Sequence, residues 1–252
     1  MSILCTFKAL TRTYTSGFTL GPIDLEIPAG EVVGLLGQNG AGKTTMLRIM
    51  IGVLRSDSGS VRLWGLNHEN ETREIKERIG YVDEEPVIYD WMKPTDLERF
   101  LSPYYPRWSS QDFSKYLQRL EIRQDLSYGK LSKGNKVKLS IAAALAKRPE
   151  LLILDEPTSG LDPVVRQDIL HLLQQYRESQ PNASIIFSSH ILGDLEQICT
   201  RIVIIDRGKV LADAPLDEFH VAPPETVGQP TGLERIFLEL IGKGGPHVAD
   251  HH

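Results

Sequence analysis

Gly37-Gln38-Asn39-Gly40-Ala41-Gly42-Lys43-Thr44 has the residue types and spacing of a loop that wraps phosphates. Glycines let backbone N–H groups turn toward an anion, and a helix starting at Lys43 adds the favourable end of its dipole. Lys43 can reach the terminal phosphates of a nucleoside triphosphate, and the Thr44 hydroxyl suits Mg2+. Far downstream, Leu151-Leu152-Ile153-Leu154 runs into Asp155-Glu156. An apolar strand ending in two acids can put the first on a metal shell and the second on an attacking water. Alone, that segment would be a strand end with solvated acids. Beside a phosphate loop it reads as the other half of a site that hydrolyses a nucleotide.

Such residues must be held by rigid elements. Residues 3–30 alternate apolar and polar positions and end in the turn signal Pro28-Ala29-Gly30, so they read as antiparallel strands. Residues 31–36 form a short apolar strand leading into the loop. Over 43–53, Met46, Leu47, Ile49 and Met50 fall at helical spacing. A strand returns over 61–63. From Lys130 onward, apolar strands (151–154, 184–188) alternate with helices (135–147, 164–179, 191–199), and 201–206 with 209–212 make a hairpin. This alternation predicts a mostly parallel sheet covered on both faces. After a Pro- and Gly-rich stretch at 221–232, a last helix is expected over 233–241.

The texture changes at about residue 87. Residues 94–124 have a helical pattern, and the region is crowded with aromatics: Trp91, Phe100, Tyr104, Tyr105, Trp108, Phe113 and Tyr116. Their plain reading is core packing within an inserted helical subdomain, about 87–147. The whole reads as one α/β domain, 1–241, with an N-terminal antiparallel β subdomain. Residues 242–252 are a tail that need not be ordered.

Composition narrows the function. Net charge is −5 and no Lys/Arg-rich run is present, so no basic field favours nucleic acid. Cys5 and Cys199 are too few and too far apart for a disulfide framework, which fits a reducing cytosol. No apolar run approaches the roughly 18–20 residues of a membrane span, and residues 1–10 lack a signal-peptide pattern. A membrane role would come through a partner.

With these residues in place, the chain resembles the ATP-binding cassette of an ABC transporter over about residues 3–241. Leu131-Ser132-Lys133-Gly134-Asn135 resembles that family's signature, Ser159-Gly160-Leu161-Asp162 its D-loop, and Ser188-Ser189-His190 its switch histidine. Tyr14 matches the aromatic that stacks on adenine, and Glu84 falls at the Q-loop glutamine. The resemblance implies a P-loop NTPase core, ATP and Mg2+ as cofactors, and two cassettes packed head to tail. ATP would touch Tyr14, Gly37, Asn39, Gly40, Ala41, Gly42, Lys43, Thr44 and Thr45 of one chain, and Ser132, Gly134 and Asp162 of the other. Thr44, Asp155 and Glu84 would hold Mg2+. Glu156 would be the general base, with His190 and Lys43 at the γ-phosphate. The implied partners are a second cassette, identical or different, and integral membrane permease subunits, with the chain peripheral at the cytoplasmic face. Two other readings stand beside this one: a nucleotide-gated regulatory module with low turnover, and a soluble ABC ATPase without a transport role.

The chain departs from the family pattern at two notable places. Lys133 stands where the signature has glycine, and it would not take a positive φ as cheaply. Glu84 stands in place of glutamine; it can still bind a cation, but it loses the amide donors and adds charge beside a polyanion. With Tyr104-Tyr105-Pro106-Arg107-Trp108, these resemble a bacterial subfamily whose cassettes pair with separately encoded permeases, often exporting peptides or antibiotics. Val87, Ile88, Tyr89 and Trp91 are expected to receive a transmembrane coupling helix.

Overall fold

The computed structural model describes residues 2–219 and 232–242. The readings placed on 221–231 and 243–252 lie outside these.

β1 (Ile3–Thr13) and β2 (Thr19–Pro28) pair antiparallel. β3 (Val32–Leu36), buried throughout, carries the chain into the phosphate loop, and α1 (Lys43–Met50) leaves it. β4 (Ser58–Leu63) returns to β1 and completes a three-stranded antiparallel sheet, β2-β1-β4. α2 (Thr72–Arg78) runs into β5 (Ile79–Val82). Then come α3 (Pro94–Leu101), α4 (Ser110–Arg119) and α5 (Lys133–Ala146), followed by β6 (Leu151–Asp155), α6 (Pro163–Ser179), β7 (Ser184–Ser189) and α7 (Leu192–Ile198). The hairpin β8 (Arg201–Asp206) and β9 (Lys209–Pro215), the single turn α8 (Leu216–Phe219) and α9 (Gly232–Gly242) end the described chain.

The second sheet has the order β5-β6-β7-β3-β8-β9, parallel except for the antiparallel edge strand β9. Its strands are apolar runs because both faces are covered. Alternate residues feed different cores. Val32, Leu36, Leu152, Leu154, Ile185 and Phe187 pack with apolar residues of α4, α5, α6, α7 and α9. Val33, Leu35, Leu151, Ile153 and Ile186 face α1 and the antiparallel sheet, meeting Met46, Leu47, Met50, Phe7 and Leu25.

Parallel pairing has a direct consequence for chemistry. Leu36 lies opposite Ser189 across the β3–β7 pair, and Asp155 lies opposite Ser188 across β6–β7. The loop after β3, the acids at the end of β6 and the histidine after β7 therefore emerge side by side at the carboxyl ends of the strands, the edge where open α/β sheets bind ligands.

The aromatics between β5 and β6 divide, which corrects the expectation that they are core. Phe113 is buried, with Trp108 tilted against it at 5.3 Å. Trp91, Phe100 and Tyr104 are exposed, as are Tyr89 and Val87. The helices beneath them already fill their own interior with Met92, Leu97, Leu117 and Leu120.

Candidate nucleotide site

The phosphate loop reaches α1 through Gly42 at φ +110°, a left-handed conformation that favours glycine. A side chain here would also stand 2.8 Å from Leu20 Cδ1. No side chain caps α1. Its first N–H groups are thus left to an outside acceptor, which is how a helix start binds phosphate. The β8–β9 turn braces the loop, Gly208 N donating to Ala41 O at 2.9 Å. Above lies a cleft of about 490 Å³ lined by Tyr14, Ser16, Phe18, residues 38–45, Glu84 and Glu156.

Lys43 is only 5% exposed. Its Nζ donates to Gly37 O at 2.6 Å and Gln38 O at 3.2 Å, and stands 2.9 Å from Glu156 Oε1. That last contact is an ion pair by distance without hydrogen-bond alignment, since Oε1 has no hydrogen-bond partner. Glu156, 6% exposed, meets His190 Nδ1 through its other oxygen at 2.8 Å. With a carboxylate as acceptor, the proton of that bond sits on Nδ1 and leaves Nε2 for another group.

Glu156 has φ +46°, strain of the kind that functional sites retain. Its N–H donates to Ser188 Oγ at 2.9 Å and Ser188 O at 3.2 Å. The Ser188 hydroxyl in turn donates to Asp155 Oδ1 at 2.6 Å. One serine on β7 thus aims both acids.

Asp155 is fully buried, and its Oδ2 has no hydrogen-bond partner. Burial holds its carboxyl above the ordinary range; the Ser188 bond and the nearby Thr44 hydroxyl oppose that, and the Glu156 charge adds to it. The carboxyl of Glu84 is also raised, by desolvation first and then by Glu156 and Asp155, while Lys133 pulls it down. An orphaned carboxylate oxygen among crowded acids beside Thr44 fits a hard divalent cation. Among the described residues no three His, Cys, Asp or Glu side chains form a protein-only cage. Mg2+ shared with phosphates needs only one or two protein oxygens.

Tyr14, Asn39, Gly40, Ala41, Gly42, Lys43, Thr44, Thr45, Glu84 and Glu156 therefore share one cleft. Tyr14 is steadied there, its hydroxyl 3.2 Å from Thr45 Oγ1. Gly37 lies beneath, its carbonyl accepting from Lys43, and Asp155 and His190 join through Ser188 and Glu156. Ser132, Gly134 and Asp162 do not line this cleft. Ser132 caps α5, accepting from Asn135 N at 3.3 Å, and Asp162 caps α6, accepting from Val164 N and Val165 N at 3.1 and 3.0 Å.

The concern over Lys133 is removed: it opens α5 and is not among the described residues with positive φ. Its ammonium lies 3.0 Å from where a side-chain carbon at Gly160 would stand. Gly134 is required for packing, because a Cβ would stand 2.9 Å from Val165 Cγ1 on α6.

Sequence reasoning missed Phe18, four residues after Tyr14 across a hairpin turn, and it named Ser188 only as part of the switch-histidine motif, without its role in aiming Asp155 and Glu156. The signal for Ser188 was a hydroxyl at the end of an otherwise apolar buried strand.

Comparison with known proteins agrees with this geometry. The family model described as ABC transporter matches residues 20–159. The chain is 33% identical over 211 residues to the Bacillus subtilis (strain 168) protein named "Uncharacterized ABC transporter ATP-binding protein YdbJ", covering 83% of this chain and 68% of that one. It is 33% identical over 219 residues to "Bacitracin transport ATP-binding protein BcrA" of Bacillus licheniformis, covering 86% and 71%. A solved structure described as the ATP binding subunit of an ABC transporter superposes with a TM-score of 0.80 at 28% identity, covering 94% of this chain and 99% of that one. The chain belongs to the ABC transporter family and has the fold of its ATP-binding subunits.

Proposed function

We propose that this chain hydrolyses Mg2+-ATP as one half of a cassette pair and that the cycle drives export through separately encoded membrane subunits. The observation that carries the reading is the linked set Lys43–Glu156–His190, joined by contacts of 2.9 and 2.8 Å at the wall of a glycine-loop cleft.

Each residue has a task in that reaction. The loop N–H groups and Lys43 bind the β- and γ-phosphates, and the Tyr14 ring flanks the base. Glu156 accepts the proton of the attacking water, its carboxylate held between Lys43 and His190. His190 orients Glu156 through Nδ1 and has Nε2 left for the terminal phosphate. When bound, Mg2+ neutralises phosphate charge and favours departure of the leaving group; Thr44, Asp155 and Glu84 are the residues that would hold it.

Ser132, Gly134 and Asp162 lie outside their own chain's cleft, which supports their serving a second copy. The start of α5, a helix N-terminus, suits the partner's phosphate. Two-fold pairing then makes two equal sites, ATP stabilises the pair by mass action, and hydrolysis releases it.

No helix of the described residues is long and apolar enough to cross a membrane. In this reading the membrane partner holds the chain peripherally, at the cytoplasmic face. A groove of about 270 Å³ beside the loop that carries Glu84 is lined by Ile88, Met92, Leu97 and Phe100. Val87, 96% exposed, and Tyr89 line it as well, and Trp91 stacks on Tyr89. Such a patch marks an interaction site and suits a coupling helix. The bacitracin transport named for one relative supports a transport role.

The test is a mild-detergent pull-down of tagged chain from native membranes. A co-purifying polytopic membrane protein is expected. A soluble or ribosomal partner in its place would overturn the transport reading.

A further inference from the structure

One buried carboxylate ties the loop after Glu156 to the helix after His190. Asp194, in the first turn of α7, is 0% exposed, and Thr158, two residues past Glu156, is equally hidden. Thr158 Oγ1 donates to Asp194 Oδ2 at 2.6 Å, and Arg166 Nε donates to Asp194 Oδ1. Arg166 belongs to the first turn of α6, where its N–H bonds Asp162 O at 3.0 Å. Asp194 therefore grips both ends of the segment 158–162.

That segment is itself a tight turn hung from Glu156. Ser159 N donates to Glu156 O at 3.1 Å, and Leu161 N to Thr158 O at 3.3 Å. On the other side, Asp194 N donates to Ile191 O at 3.2 Å, and Ile191 N to Ser189 Oγ at 2.9 Å. These bonds bracket His190.

Holding α6 against α7 does not need this charge. Gln197 Nε2 donates to Gln167 Oε1 at 3.3 Å, and Gln174 Nε2 to Gln197 O at 3.1 Å. A buried carboxylate costs stability unless fully paired. Here it sits where it engages the loop as well as the helices.

We propose that Asp194 is a positioning residue which, through Thr158 and Arg166, keeps the 158–162 loop in register with the Glu156–His190 pair. It touches no reacting atom, yet hydrolytic geometry depends on it. The inference rests on the hydrolytic reading above.

The test is steady-state ATP turnover of the full chain, with thermal midpoints measured alongside. Thr158→Val removes the hydroxyl at nearly constant shape. Its kcat should fall on the order of tenfold to a hundredfold, the scale for small misplacement of catalytic groups, with KM within about twofold of wild type. Thr158→Ser, which restores the hydroxyl, should recover turnover. Gln197→Ala, which cuts only the helix–helix link, should turn over like wild type. Asp194→Asn keeps an acceptor for Thr158 and loses the charge facing Arg166; it should show the same split of kcat from KM and serves if the valine variant does not fold.

A purely structural staple would instead lower the thermal midpoint and leave kcat intact. Turnover within about twofold of wild type in Thr158→Val or Asp194→Asn overturns the positioning role alone. So does a serine variant as slow as the valine one. A wild type no faster than Glu156→Gln overturns the hydrolytic reading, and this inference with it.

Discussion

His190 Nδ1 lies 2.8 Å from Glu156 Oε2, while the second oxygen of the same carboxylate lies 2.9 Å from Lys43 Nζ. Three residues that follow or end three separate strands, Lys43 past the loop after β3, Glu156 after β6 and His190 after β7, meet at one buried carboxylate, and parallel pairing of the strands brings them there. His190→Ala removes the bond that orients the carboxylate, so kcat should fall on the order of a hundredfold with ATP still bound. Steady-state turnover checks this; a fall of less than about threefold would make the histidine merely structural.

Lys43 spends its charge inside the loop, on two carbonyls and one carboxylate. Lys43→Ala should weaken ATP binding about ten- to a hundredfold, from the roughly 1.5–3 kcal/mol of a charged hydrogen bond. Equilibrium titration with a fluorescent ATP analogue measures it. Unchanged affinity would contradict the loop's role.

The departing residue of the signature, Lys133, and its retained glycine, Gly134, should part company. Gly134→Ala drives a methyl against Val165 between α5 and α6, an overpacking that costs about 1–3 kcal/mol. Lys133→Gly, at an exposed helix start with ordinary backbone, should cost less than about 1 kcal/mol. Urea unfolding of both variants decides; equal losses would contradict the packing account.

Much of this site was legible because its parts are local. A glycine loop between a strand and a helix, and an apolar strand ending in Asp155-Glu156, declare themselves over a few residues. β5 was not legible: four residues containing Gly80 carry no usable period. Nor was the outward placement of Phe100 and Tyr104, since aromatic content does not say which rings the interior has room for. Ser188 and Asp194 act on partners 33 and 36 residues away, so only the sheet's pairing and the packing of α7 reveal them.

Glu150 joins the helical region to the sheet. Its Oε2 accepts from Arg78 Nη2 at 2.6 Å and its Oε1 from Arg107 Nη1 at 2.9 Å. Burial pushes its carboxyl up, but the Arg78 bond and the charges of Arg78 and Arg107 win, leaving it below its ordinary 4.5. As pH falls, the unfolded chain therefore takes up the proton first. The stabilisation is full above 4.5 and disappears as pH drops through the lower folded value. Glu150→Gln should cost about 0.5–1 kcal/mol at pH 7, a partly exposed pair being screened, and the gap should close as the medium turns acid. Thermal melts across pH read this out; a gap that persists below the folded value would contradict it.

Val87 stands exposed on the groove proposed to face the membrane partner, and exposed Trp91 stacks on Tyr89 of the same groove. Val87→Glu with Trp91→Ser should abolish co-purification with membranes while basal ATP turnover stays within about twofold, since neither residue lines the nucleotide cleft. Retained membrane assembly would move the docking surface elsewhere.

The most direct measurement is ATP turnover of Glu156→Gln beside wild type, with bound nucleotide assayed in the same samples. The wild type should hydrolyse ATP, and the variant should bind ATP yet turn over about a hundredfold to ten-thousandfold more slowly, the range for losing a general base. Turnover by the variant at the wild-type rate would contradict the claim that Glu156, set between Lys43 and His190, activates the water.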